Sequence, residues 1–254
     1  MNREKPLILV SNDDGIDAKG IGLLATAMAD LGEVWVVAPA QAQSGMSQAL
    51  TAVRPLRMKE LDRGRPYREF SVDGTPVDCV KLALWGIVPR QPDLVVAGIN
   101  HGSNGSINVL YSGTMGATLE GCIAGIPSIG YSQVGRRVQE KFQPYVQRIA
   151  RNVLERGLPQ GVCLNVNLPQ RPFDGEVRVC RQANARFDNT YEQREDPFGK
   201  PYYWLCDSFR SLEYYAPDTD DMGLREGCIT IVPTMIDLTH RATMEELQTW
   251  EWGA

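Results

Sequence analysis

The sequence predicts an α/β protein, a Rossmann-like and mostly parallel sheet with flanking helices, followed by a C-terminal strand-rich extension. Three observations predict it. First, short β-branched runs that are apolar at consecutive positions stand at 7–11 (Leu-Ile-Leu-Val-Ser), 33–38 (Glu-Val-Trp-Val-Val-Ala) and 93–97 (Asp-Leu-Val-Val-Ala), as strands covered on both faces require. Second, Ile21, Leu24, Ala25, Met28 and Leu31 recur at helical spacing between the first two runs and end at Gly32, which makes a β-α-β unit with a right-handed crossover. Third, helical periodicity fades after Pro169.

The other elements follow in order. Residues 50–73 hold two interrupted segments, Leu-Thr-Ala-Val-Arg-Pro-Leu-Arg and Arg-Glu-Phe-Ser-Val-Asp-Gly, which suit a hairpin or an excursion from the main sheet. Thr75-Pro76 supplies an N-cap and an N1 proline for a helix through Val80 and Leu84. Phe142, Val146, Ile149 and Val153 mark another amphipathic helix, and 164–168 (Leu-Asn-Val-Asn-Leu) reads as a strand. Beyond it, Tyr202-Tyr203-Trp204-Leu205 and Cys228-Ile229-Thr230-Ile231-Val232 read as strands between Pro- and Gly-containing stretches. The expected division is a metal- and phosphate-binding domain at 1–170 and an extension at 171–254.

Composition excludes several function classes. Hydrophobic residues at 43% and charged residues at 22% are globular values, and apolar runs such as 94–97 are far too short to span a bilayer, so no membrane partner is expected. The start of the chain, Met1-Asn2-Arg3-Glu4-Lys5-Pro6, carries no apolar signal-like region, which points to a cytoplasmic protein. The six cysteines form no C-x-x-C pair and are expected to be buried, reduced thiols. A net charge of −5 without a basic run argues against a nucleic-acid polymer as partner. A small anion held through a metal is compatible with it.

Chemistry concentrates at the strand ends. Ser11-Asn12-Asp13-Asp14-Gly15 lies at the carboxyl end of the first strand, where open parallel sheets place their ligands. Adjacent carboxylates repel unless a cation neutralises them, and hard divalent metals prefer carboxylate and amide oxygens. Ser44 follows the second strand and Asn100 the third. Because neighbouring strands end at one rim, Asp13, Asp14, Ser44 and Asn100 are candidate ligands of a single cation. Tyr111-Ser112-Gly113-Thr114 opens a helix, whose free N–H groups, with the hydroxyls of Ser112 and Thr114 and the close approach that Gly113 permits, suit a phosphate. Asn12 and His101 are further candidates for phosphate contact, His101 as a donor to a phosphate oxygen or leaving group. No G-x-x-x-x-G-K-[ST], G-x-G-x-x-G after a strand or G-x-S-x-G is present, which disfavours P-loop, dinucleotide-binding and α/β-hydrolase readings.

Taken together, these motifs resemble the SurE family, the stationary-phase survival proteins with 5′(3′)-nucleotidase activity. The resembling segments are Ser-Asn-Asp-Asp-Gly at 11–15, Val-Val-Ala-Pro at 36–39 with Ser-Gly at 44–45, Asp-Gly-Thr-Pro at 73–76, Gly-Ile-Asn-His-Gly at 98–102, Tyr-Ser-Gly-Thr at 111–114, and Leu-Asn-Val-Asn-Leu-Pro at 164–169. The resemblance implies one Mg²⁺ or Mn²⁺ per subunit at Asp13, Asp14, Ser44 and Asn100, and phosphate contact at 112–114. It also implies nucleoside monophosphates as substrates, and a homodimer or homotetramer in which the C-terminal part reaches a partner. Ala40-Gln41-Ala42-Gln43 and the segment 184–201 depart from the family pattern, which bears on substrate preference more than on chemistry. Asp13 and Asp14 are the expected catalytic pair. Both direct attack by water and Asp13 as a nucleophile remain compatible with the residues.

Overall fold

The computed structural model describes residues 5–253 except Arg136, Asn189 and Asp207; residues 1–4, on which the reading of the chain start rests, lie outside them. The elements are β1 (Leu7–Ser11), α1 (Lys19–Ala29), β2 (Glu33–Pro39), β3 (Met58–Leu61), β4 (Arg68–Val72), α2 (Pro76–Leu82), β5 (Leu94–His101), α3 (Gly113–Ile123), β6 (Ser128–Gln133), α4 (Gln143–Arg156) and β7 (Val162–Leu168). There follow β8 (Val177–Val179), β9 (Ala185–Phe187), β10 (Tyr191–Glu195), β11 (Pro201–Leu205), β12 (Phe209–Ser211), α5 (Asp220–Glu226), β13 (Ile229–Met235) and α6 (Arg241–Leu247).

The main sheet runs β3-β4-β2-β1-β5-β6-β7-β13-β8. From β4 to β7 every neighbouring pair is parallel, in the order of a doubly wound dinucleotide-type sheet. On β1, Ile8 and Val10 pack into one core with α1 and α4 residues. Leu7 and Leu9 pack into the other, with Cys79 and Val80 of α2. Burial on both faces is why the central strands read as unbroken apolar runs. α2 starts where its N-cap predicts: the Thr75 hydroxyl accepts from the Asp78 N–H and the Asp78 carboxylate accepts from the Thr75 N–H.

Several features depart from expectation. The 50–73 hairpin does not leave the sheet; β4 joins it beside β2, and β3 pairs antiparallel at the edge. β6 was not evident in Ser-Ile-Gly-Tyr-Ser-Gln, because its small residues answer to a helix packed close above them: a Cβ on Gly130 would lie 2.6 Å from Met115 Sδ and 2.8 Å from Thr118 Oγ1. In the C-terminal part, β13 pairs antiparallel with β7 and parallel with β8, which extends the main sheet. The remaining strands form two separate pairs, β10-β11 and β9-β12. The strand-rich C-terminal part also holds two short helices, α5 and α6. All six cysteines are free and five are buried, but Cys206 is exposed. Among the described residues no helix is long and apolar enough to cross a membrane.

Candidate active site

β1 is the switch point of the sheet: β2 pairs on one side of it (Val10↔Val36) and β5 on the other (Ser11↔Ala97). Asp13 just past β1, Ser44 on the loop after β2 and Asn100 in β5 therefore stand at the carboxyl ends of neighbouring strands, where such sheets bind ligands.

Asp13 is buried, and the start of α3 is built around it. The Thr114 hydroxyl donates to Asp13 Oδ1 at 2.5 Å, and the Thr114 backbone adds a second hydrogen bond. A Cβ on Gly113 would fall 2.8 Å from Asp13 Cβ, so this residue must be glycine for the helix terminus to reach the carboxylate. Burial pushes the Asp13 carboxyl up from its ordinary range, the hydrogen bonds from Thr114 oppose the rise, and the neighbouring Asp14 charge adds to it. A carboxylate in that position is short of positive charge. Thr114 thus serves Asp13 first, rather than facing a phosphate with a free hydroxyl. Ser112 is the N-cap of α3, its Oγ accepting from the Met115 N–H at 3.0 Å, which leaves its own hydroxyl proton to donate.

Asp14 is held from β5. Its Oδ2 accepts from His101 Nδ1 at 2.8 Å and from the His101 N–H at 3.4 Å. Because a carboxylate only accepts, the proton of this pair sits on Nδ1, and the ring, 56% exposed, keeps Nε2 for another partner. Asn12 folds under the turn, its Nδ2 donating to the Gly15 carbonyl at 2.9 Å. The side chain shapes the turn that displays the two carboxylates. Ser11 Oγ and Asn12 Oδ1 are buried with no partner among the described residues.

Ser44 is exposed on the loop after β2, and that loop is tied down at both ends. The Gln43 N–H donates to the Asp13 carbonyl at 2.7 Å. Ser47 Oγ donates to the Leu110 carbonyl at 2.7 Å, and Gly116 of α3 admits the Ser47 carbonyl where a Cβ would be 2.2 Å away. Asn100 lies past a register shift in β5 between Ala97 and Asn100. Gly98, at φ +123°, and Gly20 of α1 make room for it, since a Cβ on Gly20 would stand 2.0 Å from the Ile99 carbonyl oxygen. Asn100 Nδ2 donates to the Gly102 carbonyl at 3.2 Å, so Oδ1 is the amide edge left for a ligand.

At the carboxyl ends of these strands Asp13, desolvated and repelled by Asp14, is short of positive charge, and two carboxylates, an amide oxygen and a hydroxyl are donor types that could hold a hard divalent cation. What the sequence reading missed lies behind Asn100: Asn104, Asn165, Asn167 and Ser132 are buried together. The signal was present in Leu-Asn-Val-Asn-Leu, where asparagines two apart share one face of an otherwise apolar strand.

The family model described as Survival protein SurE matches residues 8–189. The chain is 46% identical to the 5′-nucleotidase SurE of Phocaeicola vulgatus over 253 residues, covering 98% of each. It is 40% identical to the 5′-nucleotidase SurE of Chlorobium chlorochromatii, covering 98% of this chain and 93% of that one. The crystal structure of the SurE protein from Aquifex aeolicus superposes with a TM-score of 0.82 at 35% identity, covering 96% of this chain and 98% of that chain. With the family model matching most of the chain and relatives 40% and 46% identical over nearly their whole length, this chain belongs to the SurE family.

Proposed function

We propose that this protein hydrolyses nucleoside 5′-monophosphates, and 3′-monophosphates at the same site, to nucleoside and phosphate with the help of one divalent cation, Mg²⁺ or Mn²⁺. The chain is a 5′-nucleotidase by its kinship with relatives bearing that name over nearly their whole length. The observation that carries the metal reading is the buried Asp13 carboxylate, raised in pKa beside Asp14 and held just past the end of β1, with Ser44 on the loop after β2 and Asn100 in β5.

In this reading Asp13, Asp14, Ser44 and Asn100 hold the cation, which supplies positive charge to the phosphoryl oxygens. Thr114 keeps Asp13 in place. Ser112 and the backbone at Gly113 receive the phosphate at the amino end of α3. Asp14 fixes the His101 ring through Nδ1, and in its imidazolium form that ring has an Nε2 proton to pass to the leaving oxygen. Water attacks phosphorus and gives its proton to a carboxylate of the pair, so that nucleoside and phosphate are the products.

The reading extends to assembly and setting. Tyr202, Tyr203, Trp204 and Leu205 are all exposed on β11, so both faces of that hairpin offer apolar surface, which supports association into a homodimer or homotetramer. Six free thiols suit the reducing cytoplasm.

The test is phosphate release from a panel of 5′- and 3′-nucleoside monophosphates with Mn²⁺ or Mg²⁺. Turnover of members of both sets supports the full reading, and turnover of the 5′ set alone narrows it. A protein that binds nucleotides without releasing phosphate would be a sensor instead.

A further inference from the structure

Asn104, Asn165 and Asn167 are 5%, 2% and 0% exposed. Buried amides cost stability unless their donors and acceptors are paired, so three in contact require an account. Their hydrogen bonds close a circuit on the backbone of one residue. The Asn104 N–H donates to Asn167 Oδ1 at 2.8 Å, Asn167 Nδ2 donates to Asn165 Oδ1 at 3.0 Å, and Asn165 Nδ2 donates to the Asn104 carbonyl at 2.8 Å. A backbone N–H can only donate and a backbone carbonyl can only accept, so the direction of every bond is fixed, and with it the orientation of both side-chain amides.

The circuit leads to the candidate site. With its backbone clamped, Asn104 donates from Nδ2 to Ser132 Oγ at 2.6 Å and turns Oδ1 to Asn100 Nδ2 at 3.5 Å. That contact and the Gly102 carbonyl both engage the Asn100 amide nitrogen, which fixes which edge of Asn100 carries the free oxygen. We propose that Asn165 and Asn167 are positioning residues for the cation: acting through Asn104, they set the Asn100 amide with its oxygen outward. The proposal rests on the reading of Asn100 as a cation ligand.

Asn167→Asp tests it with almost no change of shape. The acceptor for the Asn104 N–H is kept, while the donor to Asn165 becomes a second acceptor. Asn165→Ser breaks the circuit at its other member, in case Asn167→Asp does not fold. Tyr131→Phe is the control, since it removes an equally buried hydrogen bond, to the Val146 carbonyl at 3.0 Å, that lies outside the circuit. Mn²⁺ binding to the nucleotide-free protein is measured by the electron paramagnetic resonance of the free ion, beside kcat at saturating Mn²⁺. Loss of an outer hydrogen-bonding partner lowers metal affinity about tenfold or more. The expected result is that loss in both asparagine variants, with kcat largely recovered at high Mn²⁺ and Tyr131→Phe binding as wild type. Folded asparagine variants that bind Mn²⁺ as tightly as Tyr131→Phe would overturn the proposal alone. A wild type that binds no Mn²⁺ would overturn the metal reading with it.

Discussion

Asp13→Asn is expected to reduce phosphate release about a thousandfold, since a correctly held cation contributes several kcal/mol of charge stabilisation and each 1.36 kcal/mol is a factor of ten. The substitution keeps the shape of the side chain and an oxygen for the Thr114 hydroxyl. It removes the charge that burial and Asp14 both oppose. The metal-free variant is therefore expected to unfold at a higher urea concentration than the metal-free wild type, an active-site residue that costs stability in the service of function. The sign of the pH dependence follows. In the wild type the folded Asp13 carboxyl binds a proton more tightly than the unfolded one, so its contribution to stability declines as pH rises from the ordinary carboxylate range through the raised pKa. Asp13→Asn should remove that decline. Initial rates at saturating Mn²⁺ and urea titrations of the chelated proteins at several pH values check both statements, and a variant that is inactive because it is unfolded would refute them.

The second large effect is expected from packing rather than charge. Gly98→Ala places a Cβ 2.1 Å from the Tyr131 carbonyl oxygen, in a residue whose φ is +123°. β6 cannot withdraw without breaking its pairing with β5 and β7, and overpacking adds to the cost of a left-handed backbone. Together they are expected to cost about 3 kcal/mol or more of stability. Gly86→Ala, where nothing stands within 4 Å of the new Cβ, should be nearly neutral. Urea midpoints of the two variants make the comparison, and equal midpoints would contradict it.

These two residues show what the sequence could disclose. β1, β2 and β5 were legible because burial on both faces imposes consecutive apolar residues, and Asp13 was legible because topology places ligands at the end of such a strand. β6 was not, since Gly130 and Ser128 answer to the approach of α3, through Thr118 and Gly121, rather than to a strand pattern. α6 spans only seven residues and buries none of them, too short a segment for helical periodicity to be read. At the candidate site, the types of the residues proposed as ligands stand in the sequence, but their orientations do not. Thr114 reads as a phosphate donor until Gly113 lets the helix terminus close on Asp13, and the set of Asn100 depends on Asn165 and Asn167, which lie more than 60 residues along the chain.

If the oxygen cluster at Asp13 is a metal-dependent phosphatase site, phosphate release from 5′-AMP should fall to background after exhaustive chelation of the wild type and recover when Mn²⁺ is restored. Asp13→Asn, measured side by side, should show no recovery. Full activity in the chelated wild type, or Mn²⁺-restored activity in Asp13→Asn equal to wild type, would contradict that reading.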